Sequence, residues 1–173
     1  MILVYFTQPF PQTRAKWRNI LSSEEANMSG ETNKALASRV LLEAFSQGKM
    51  GVVDEAIAPN HVNTGPAALP GMANGPEGTK MLMSMYRTAF PDLHFKIEEQ
   101  TAEGDTVVTR WSSGGTHKGV LMGIPATGKA ASVTGVTIDR FANGKVVHSW
   151  GIFDQMGLMQ QLGIIPMPGQ SAH

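Results

Sequence analysis

The stretch ASVTGVTIDRFANGKVVHSWGIFD, Ala131 to Asp154, decides the fold. At its centre Asn143-Gly144 is the signature of a two-residue hairpin, because both central positions of that turn need positive φ. Val, Ile, Thr, Phe and Trp crowd the flanks, as residues that suit a pleated, half-buried surface do. If Ala142 pairs with Lys145, counting fixes the register: Asp139 faces His148, Thr137 faces Trp150, Gly135 faces Ile152 and Val133 faces Asp154. Side chains alternate with period two, so this reading puts all eight on one face. Asp139 and His148 then form a carboxylate–imidazole pair that either orients a general base or sits as a solvated pair near the hairpin tip.

Upstream the same period continues. Leu93, Phe95 and Ile97 alternate with His94, Lys96 and Glu98, and Glu103-Gly104-Asp105 turns the chain into a second strand, Thr106 to Thr116. A loop from Lys118 to Gly128 leads into the hairpin. Before the strands the spacing is helical. Leu36, Val40, Leu41, Ala44 and Phe45 predict one helix, with Gly48 as its stop. Val52, Val53, Ala56 and Ile57 predict a short second helix ended by Pro59, and Asn60 to Gly75 reads as a loop. Pro76 opens a third helix, with Met81, Leu82, Met85, Tyr86, Ala89 and Phe90 as the buried stripe and Met83 on the far side. Met156, Met159 and Leu162 predict a last short helix. Helices followed by an antiparallel meander make an α+β fold, with helices across one face of a curved sheet.

The 173 residues suit one domain. Residues 1–27 read as an N-terminal extension, and 28–173 as the domain. With 14 basic and 14 acidic side chains, bulk electrostatics recruit neither nucleic acid nor an anionic membrane. The absence of Cys excludes disulfides, thiol nucleophiles and thiolate metal sites. No apolar run approaches the ~20 residues that span a bilayer, and Ile2 to Phe6 lacks a basic n-region, so a cytoplasmic location is expected. Five His without HxxxH or HxH spacing give no metal signature, and no Gly-x-Ser-x-Gly elbow or phosphate loop occurs. The composition, with 11 Met, suits an apolar small-molecule cavity or simple core packing.

Two further polar residues stand out. Asp154 lies six residues beyond His148, roughly 20 Å along a strand at ~3.3 Å per residue, so the two cannot serve one small site. His117 ends the second strand, on the side nearer Asp154. Asp154 is equally placed to cap the last helix, and His117 to bond the end of its loop. Trp111, Trp150 and Tyr86 are candidates for an aromatic wall or for ordinary core.

Longer patterns carry a resemblance. They are Asp54-Glu55-x-x-Ala58-Pro59, Phe90-Pro91-Asp92-Leu93-x-Phe95, Ala102-Glu103-Gly104-Asp105, Gly115-Thr116-His117-Lys118-Gly119, Met122-Gly123-Ile124-Pro125 and Trp150-x-x-x-Asp154-x-x-Gly157-Leu158-x-Gln160-Gln161-Leu162-Gly163. Together, over roughly Asn33 to Gly163, the chain resembles the SnoaL-like polyketide cyclases, often called ester cyclases, of the nuclear-transport-factor-2-like fold class. The resemblance implies a cone of helices and curved sheet around an apolar pocket, a hydrophobic small-molecule substrate, commonly a homodimer, and aldol-type acid/base chemistry without metal or organic cofactor. His117 and Asp154 match the family pattern and are expected as the polar end of the site, with the Asp139–His148 pair from the hairpin count in reserve. Asn63, Thr137, Trp111, Trp150, Tyr86 and Met85 would contact substrate. Asn63-Thr64 stands where relatives often carry Asp-His, and Thr137 where they often carry an acid. Two other readings remain: a non-catalytic binder of the same fold, and a dehydratase, isomerase or epoxide hydrolase, the last needing an Asp–Arg–Asp arrangement to which Arg110 or Arg140 would contribute.

Overall fold

The computed structural model describes residues 29–69 and 71–166. The proposed extension, residues 1–27, lies outside them. Helix α1 covers residues 29–47 and contains a π-helical turn, Val40–Phe45. It is followed by α2 (Met50–Ala56), β1 (Ile57–Thr64), α3 (Gly75–Ala89), β2 (His94–Glu103), β3 (Thr106–Thr116), β4 (Ala130–Ala142), β5 (Lys145–Phe153) and α4 (Gln155–Leu162). No helix among the described residues is long and apolar enough to cross a membrane.

The five strands form one curved, unclosed sheet in the order β1-β5-β4-β3-β2. Strands β2 to β5 are the antiparallel meander that the period-two pattern predicts. The β4–β5 turn has Asn143 at φ 52° and Gly144 at φ 72°, the conformation for which that dipeptide is suited. Strand β1 lies where the sequence predicts a helix end and a loop. It pairs in parallel with β5, placing Val62 beside His148, Asn63 beside Ser149 and Thr64 beside Trp150. Pro59 and Asn60 hide it from propensity, and its partner lies more than eighty residues downstream.

The counted hairpin register holds only for its first pair. Ala142 faces Lys145 and Phe141 faces Val146, but Arg140 faces His148. Val147 is therefore the extra residue of a β-bulge, and everything beyond it moves by one: Asp139 faces Ser149, Thr137 faces Gly151, and Gly135 faces Phe153. One residue of slip reverses the face of every later side chain. Ser149, Gly151 and Phe153 turn inward, while His148, Trp150 and Ile152 alternate outward.

The stripe of α3 is also rotated from the predicted one. Met83 is fully buried and Met81 is exposed. The inward residues are Thr79, Leu82, Met83 and Tyr86, with Phe90 just beyond the helix, a spacing of three and four residues that keeps one helical face. Two apolar clusters result. One joins α1, α2 and the hairpin end of the sheet through Ala44, Val53, Met83 and Phe141. The other joins the end of α3 to α4 and the opposite end of the sheet through Phe90, Leu93, Leu121 and Leu162.

Candidate active site

Between these clusters lies a cavity of about 160 Å³, walled by α1, α3, α4 and the inner face of the sheet. Its walls are mainly apolar. Phe95 and Phe153 flank Trp111, with ring centroids 5.0 Å and 6.3 Å away, and Tyr86 meets Phe153 edge-on at 6.4 Å. The Trp111 indole lies against Gly135, where a Cβ would collide with its six-membered ring. Its Nε1–H donates to Thr137 Oγ1 at 3.0 Å, which satisfies the polar end of a ring otherwise packed among apolar groups.

One group of polar side chains in the wall comes from three adjacent strands. Asp139 (β4), Ser149 (β5), and His61 and Asn63 (β1) all line the cavity. Ser149 Oγ donates to Asp139 Oδ1 at 2.5 Å, and His61 Nε2 lies 3.0 Å from the same Ser149 Oγ. Asp139 and His61 are both buried. The Val147 bulge brings Ser149 rather than His148 against Asp139; without it the carboxylate would face an imidazole.

Burial sets the protonation of these groups. It pushes the Asp139 carboxyl up to about 6, against the opposing effect of the Ser149 hydroxyl, which stabilises the carboxylate. His61 is pushed down to about 4, chiefly by burial and further by the nearby His148. The Tyr86 hydroxyl is pushed up to about 12 by burial alone. At neutral pH the cavity therefore holds one carboxylate, a neutral imidazole and a neutral phenol. Among the described residues no Lys or Arg lines it.

The other sequence-predicted residues are not at this cavity. His148 lies on the outer face, where its Nε2 is 2.9 Å from Thr64 Oγ1, so the expected Asp139–His148 pair does not form. Trp150 shares that outer face and packs beside Gly65. Met85 packs against the second apolar cluster rather than lining the cavity. Asp154 is exposed and caps α4, its Oδ1 accepting from Gly157 N at 2.8 Å.

His117 is fully buried outside the cavity, stacked on Phe90 at 5.2 Å, with Nδ1 3.2 Å from Thr127 Oγ1 and no hydrogen-bond partner at Nε2. His117 and Asp154 thus do not share a pocket: one is drawn into the core by its loop, and the other is held at the surface by the helix it caps. Arg110 and Arg140 are exposed and line no part of the cavity, so neither supplies the arginine of an Asp–Arg–Asp site there. Among the described residues no three His, Asp or Glu side chains could hold a metal ion together.

Sequence reasoning missed His61 and Ser149. Both depend on β1 and on the bulge, and neither carries a local turn signal. The one available hint was the alternation of His61 and Asn63 about Val62, too short beside Pro59 to outweigh a loop reading.

A family model for SnoaL-like polyketide cyclases matches residues 35–162. The chain belongs to that family. It is 32% identical over 126 residues to the nogalonic acid methyl ester cyclase of Streptomyces nogalater, covering 71% of this chain and 92% of that one. It is 29% identical over 126 residues to the aklanonic acid methyl ester cyclase DnrD of Streptomyces peucetius, covering 72% and 87%. Among solved structures, TsrD from Streptomyces laurentii superposes with a TM-score of 0.71 at 27% identity, over 78% of this chain and 97% of that one. As a SnoaL-like polyketide cyclase family member, the chain has the helices, the curved sheet and the apolar cavity that its sequence resemblance implies.

Proposed function

We propose that this SnoaL-like chain is a cofactor-free cyclase that closes a ring in a hydrophobic, carbonyl-bearing polyketide ester, with Asp139 as its acid/base. The observation that carries the reading is the Asp139 carboxylate, buried in an apolar cavity wall that no Lys or Arg among the described residues lines, and hydrogen-bonded to Ser149. Burial makes it a stronger base than an exposed carboxylate, and it ionises close to neutral pH, where a general base works best.

In this mechanism Asp139 takes the acidic proton from a carbon flanked by carbonyl groups. The enolate carbon attacks a second carbonyl, forming the ring C–C bond, and that carbonyl oxygen becomes an alkoxide. The alkoxide regains the proton from Asp139, so the base is restored within one turnover. Tyr86, a phenol that keeps its proton throughout the neutral range, and Asn63 are the donors assigned to the developing oxyanion. The aromatic wall around Trp111 folds the flexible chain so that its reacting carbons meet. His117 and Asp154 take packing and helix-capping roles. A homodimer through the outer sheet face belongs to the same reading, supported by Val62 and Ile152, which stand exposed there beside Trp150.

The test is incubation of the purified chain with nogalonic and aklanonic acid methyl esters, the substrates named for its relatives. Conversion to the ring-closed product supports the cyclase. Tight binding with the ester recovered unchanged would replace it with the non-catalytic binder.

A further inference from the structure

We propose that His61 is a positioning residue for Asp139, acting through Ser149 to fix the direction in which that hydroxyl donates. The inference rests on Asp139 being the base and goes one step beyond it. Ser149 Oγ has a single hydrogen, and at 2.5 Å from Asp139 Oδ1 that hydrogen points to the carboxylate. His61 Nε2, 3.0 Å from the same oxygen, must then be the donor, so the neutral imidazole carries its proton on Nε2. The chain reads His61 Nε2–H to Ser149 Oγ–H to Asp139 Oδ1.

Alone, a serine hydroxyl rotates and accepts as readily as it donates. With the imidazole N–H occupying its lone pair, donation to the carboxylate is the one orientation that satisfies all three groups. Oδ1 is thereby engaged and Oδ2 is left for substrate.

The surroundings make this arrangement decisive for the base. Among the described residues the titratable groups in the cavity wall besides Asp139 are His61 on β1 and Tyr86 on α3. Helix α1 presents Ala37, Val40, Leu41 and Phe45, and β3 presents Trp111 and Ser113. The cavity-lining residues of β2 and α4, Phe95 and Leu158, are apolar, and the imidazole of His148 is turned to the outer face. Among the described residues no other charged side chain lines the cavity, so beyond burial, which sets the main shift, the orientation of one hydroxyl tunes how readily the carboxylate ionises.

The test needs no substrate. Asp139 is titrated by carbon-13 NMR in protein labelled at aspartate, in the wild type and in Ser149→Ala, His61→Phe and His61→Gln. Loss of a hydrogen bond to a charged group raises the midpoint, so Ser149→Ala moves it up by about one to two pH units. His61→Phe keeps the ring and its burial but removes the N–H, and moves the midpoint in the same direction by at least about half a unit. His61→Gln, which keeps an N–H donor, stays close to wild type.

A titration of His61→Phe that superposes on wild type, or a His61→Gln curve that follows the Phe variant, overturns the proposal. The wild type gives a second reading if a variant does not fold. Nitrogen-15 NMR of the His61 ring should find the Nε2–H tautomer at neutral pH, and the Nδ1–H tautomer would overturn it. Because ring closure is measured separately, an inactive Asp139→Asn with an unmoved His61→Phe titration removes this proposal alone. An active Asp139→Asn removes the catalytic reading instead.

Discussion

Asp139 and Ser149 face each other across the β4–β5 pair, and the serine hydroxyl donates to the carboxylate at 2.5 Å inside an apolar cavity. This contact exists because Val147 bulges out of the hairpin, and it joins a fold device to the proposed chemistry.

The first prediction concerns stability against pH. Asp139, moved from 3.8 to about 6, holds its proton more tightly folded than unfolded. Its contribution is fully present below about pH 4 and is lost as pH rises through about 6. His61, moved from 6.5 to about 4, works the other way: its contribution is fully present above about 6.5 and is lost as pH falls through about 4. Each amounts to roughly 3 kcal/mol at most. Between about pH 4 and 6 the two slopes oppose each other. Asp139→Asn should therefore gain stability relative to wild type as pH rises across that window, and His61→Gln should lose it. Urea denaturation at a series of pH values checks this, and three parallel curves would contradict it.

A second prediction follows from the Trp111–Gly135 contact. A methyl group at residue 135 meets the indole and the Ile152 carbonyl, so Gly135→Ala should destabilise by about 1–3 kcal/mol or more. Trp111→Phe loses the donor to Thr137 and part of the wall, at a cost of about 1–3 kcal/mol. Because the smaller ring relieves the clash, the double variant should cost less than the sum of the single ones. A double-mutant cycle by chemical denaturation reads that coupling, and strict additivity would argue against the packing described.

Asp154 separates a fold role from a site role. Asp154→Ala should cost about 1 kcal/mol through loss of the α4 cap and leave turnover unchanged. A large loss of turnover with intact stability would return Asp154 to the site.

The outer sheet face gives a prediction about assembly. Ile152→Glu places a charge on an exposed apolar position beside Trp150, and a dimer through this face should become monomeric without loss of secondary structure. Sedimentation velocity decides it: an unchanged mass distribution would place the interface elsewhere.

Much of the fold was legible because it rests on local chemistry. The Asn143-Gly144 turn, Pro76 at the start of α3 and the alternation of β2 to β4 each declare themselves within a few residues. The site was less legible because it depends on distant pairings. Asp139 stands out in the sequence, but counting from the turn gives it the wrong partner, since Val147 is an ordinary strand residue and nothing in its identity marks a bulge. His61 needed β1, which forms only once β5 offers it a partner. Of the expected substrate contacts, Trp111, Tyr86, Thr137 and Asn63 line the cavity; the expected Trp150 and His148 face away, both through the same one-residue slip.

The most direct measurement is the rate of ring closure of nogalonic acid methyl ester by wild type and Asp139→Asn across pH 4.5–8, a range that brackets the Asp139 midpoint of about 6. A carboxylate base requires kcat/KM for the wild type to rise through about pH 6 and level off above it. Asp139→Asn should fold and fall by about 10²–10⁴-fold, with the rise near pH 6 abolished. An Asp139→Asn variant that keeps the wild-type rate and pH profile would contradict the assignment of Asp139 as the base.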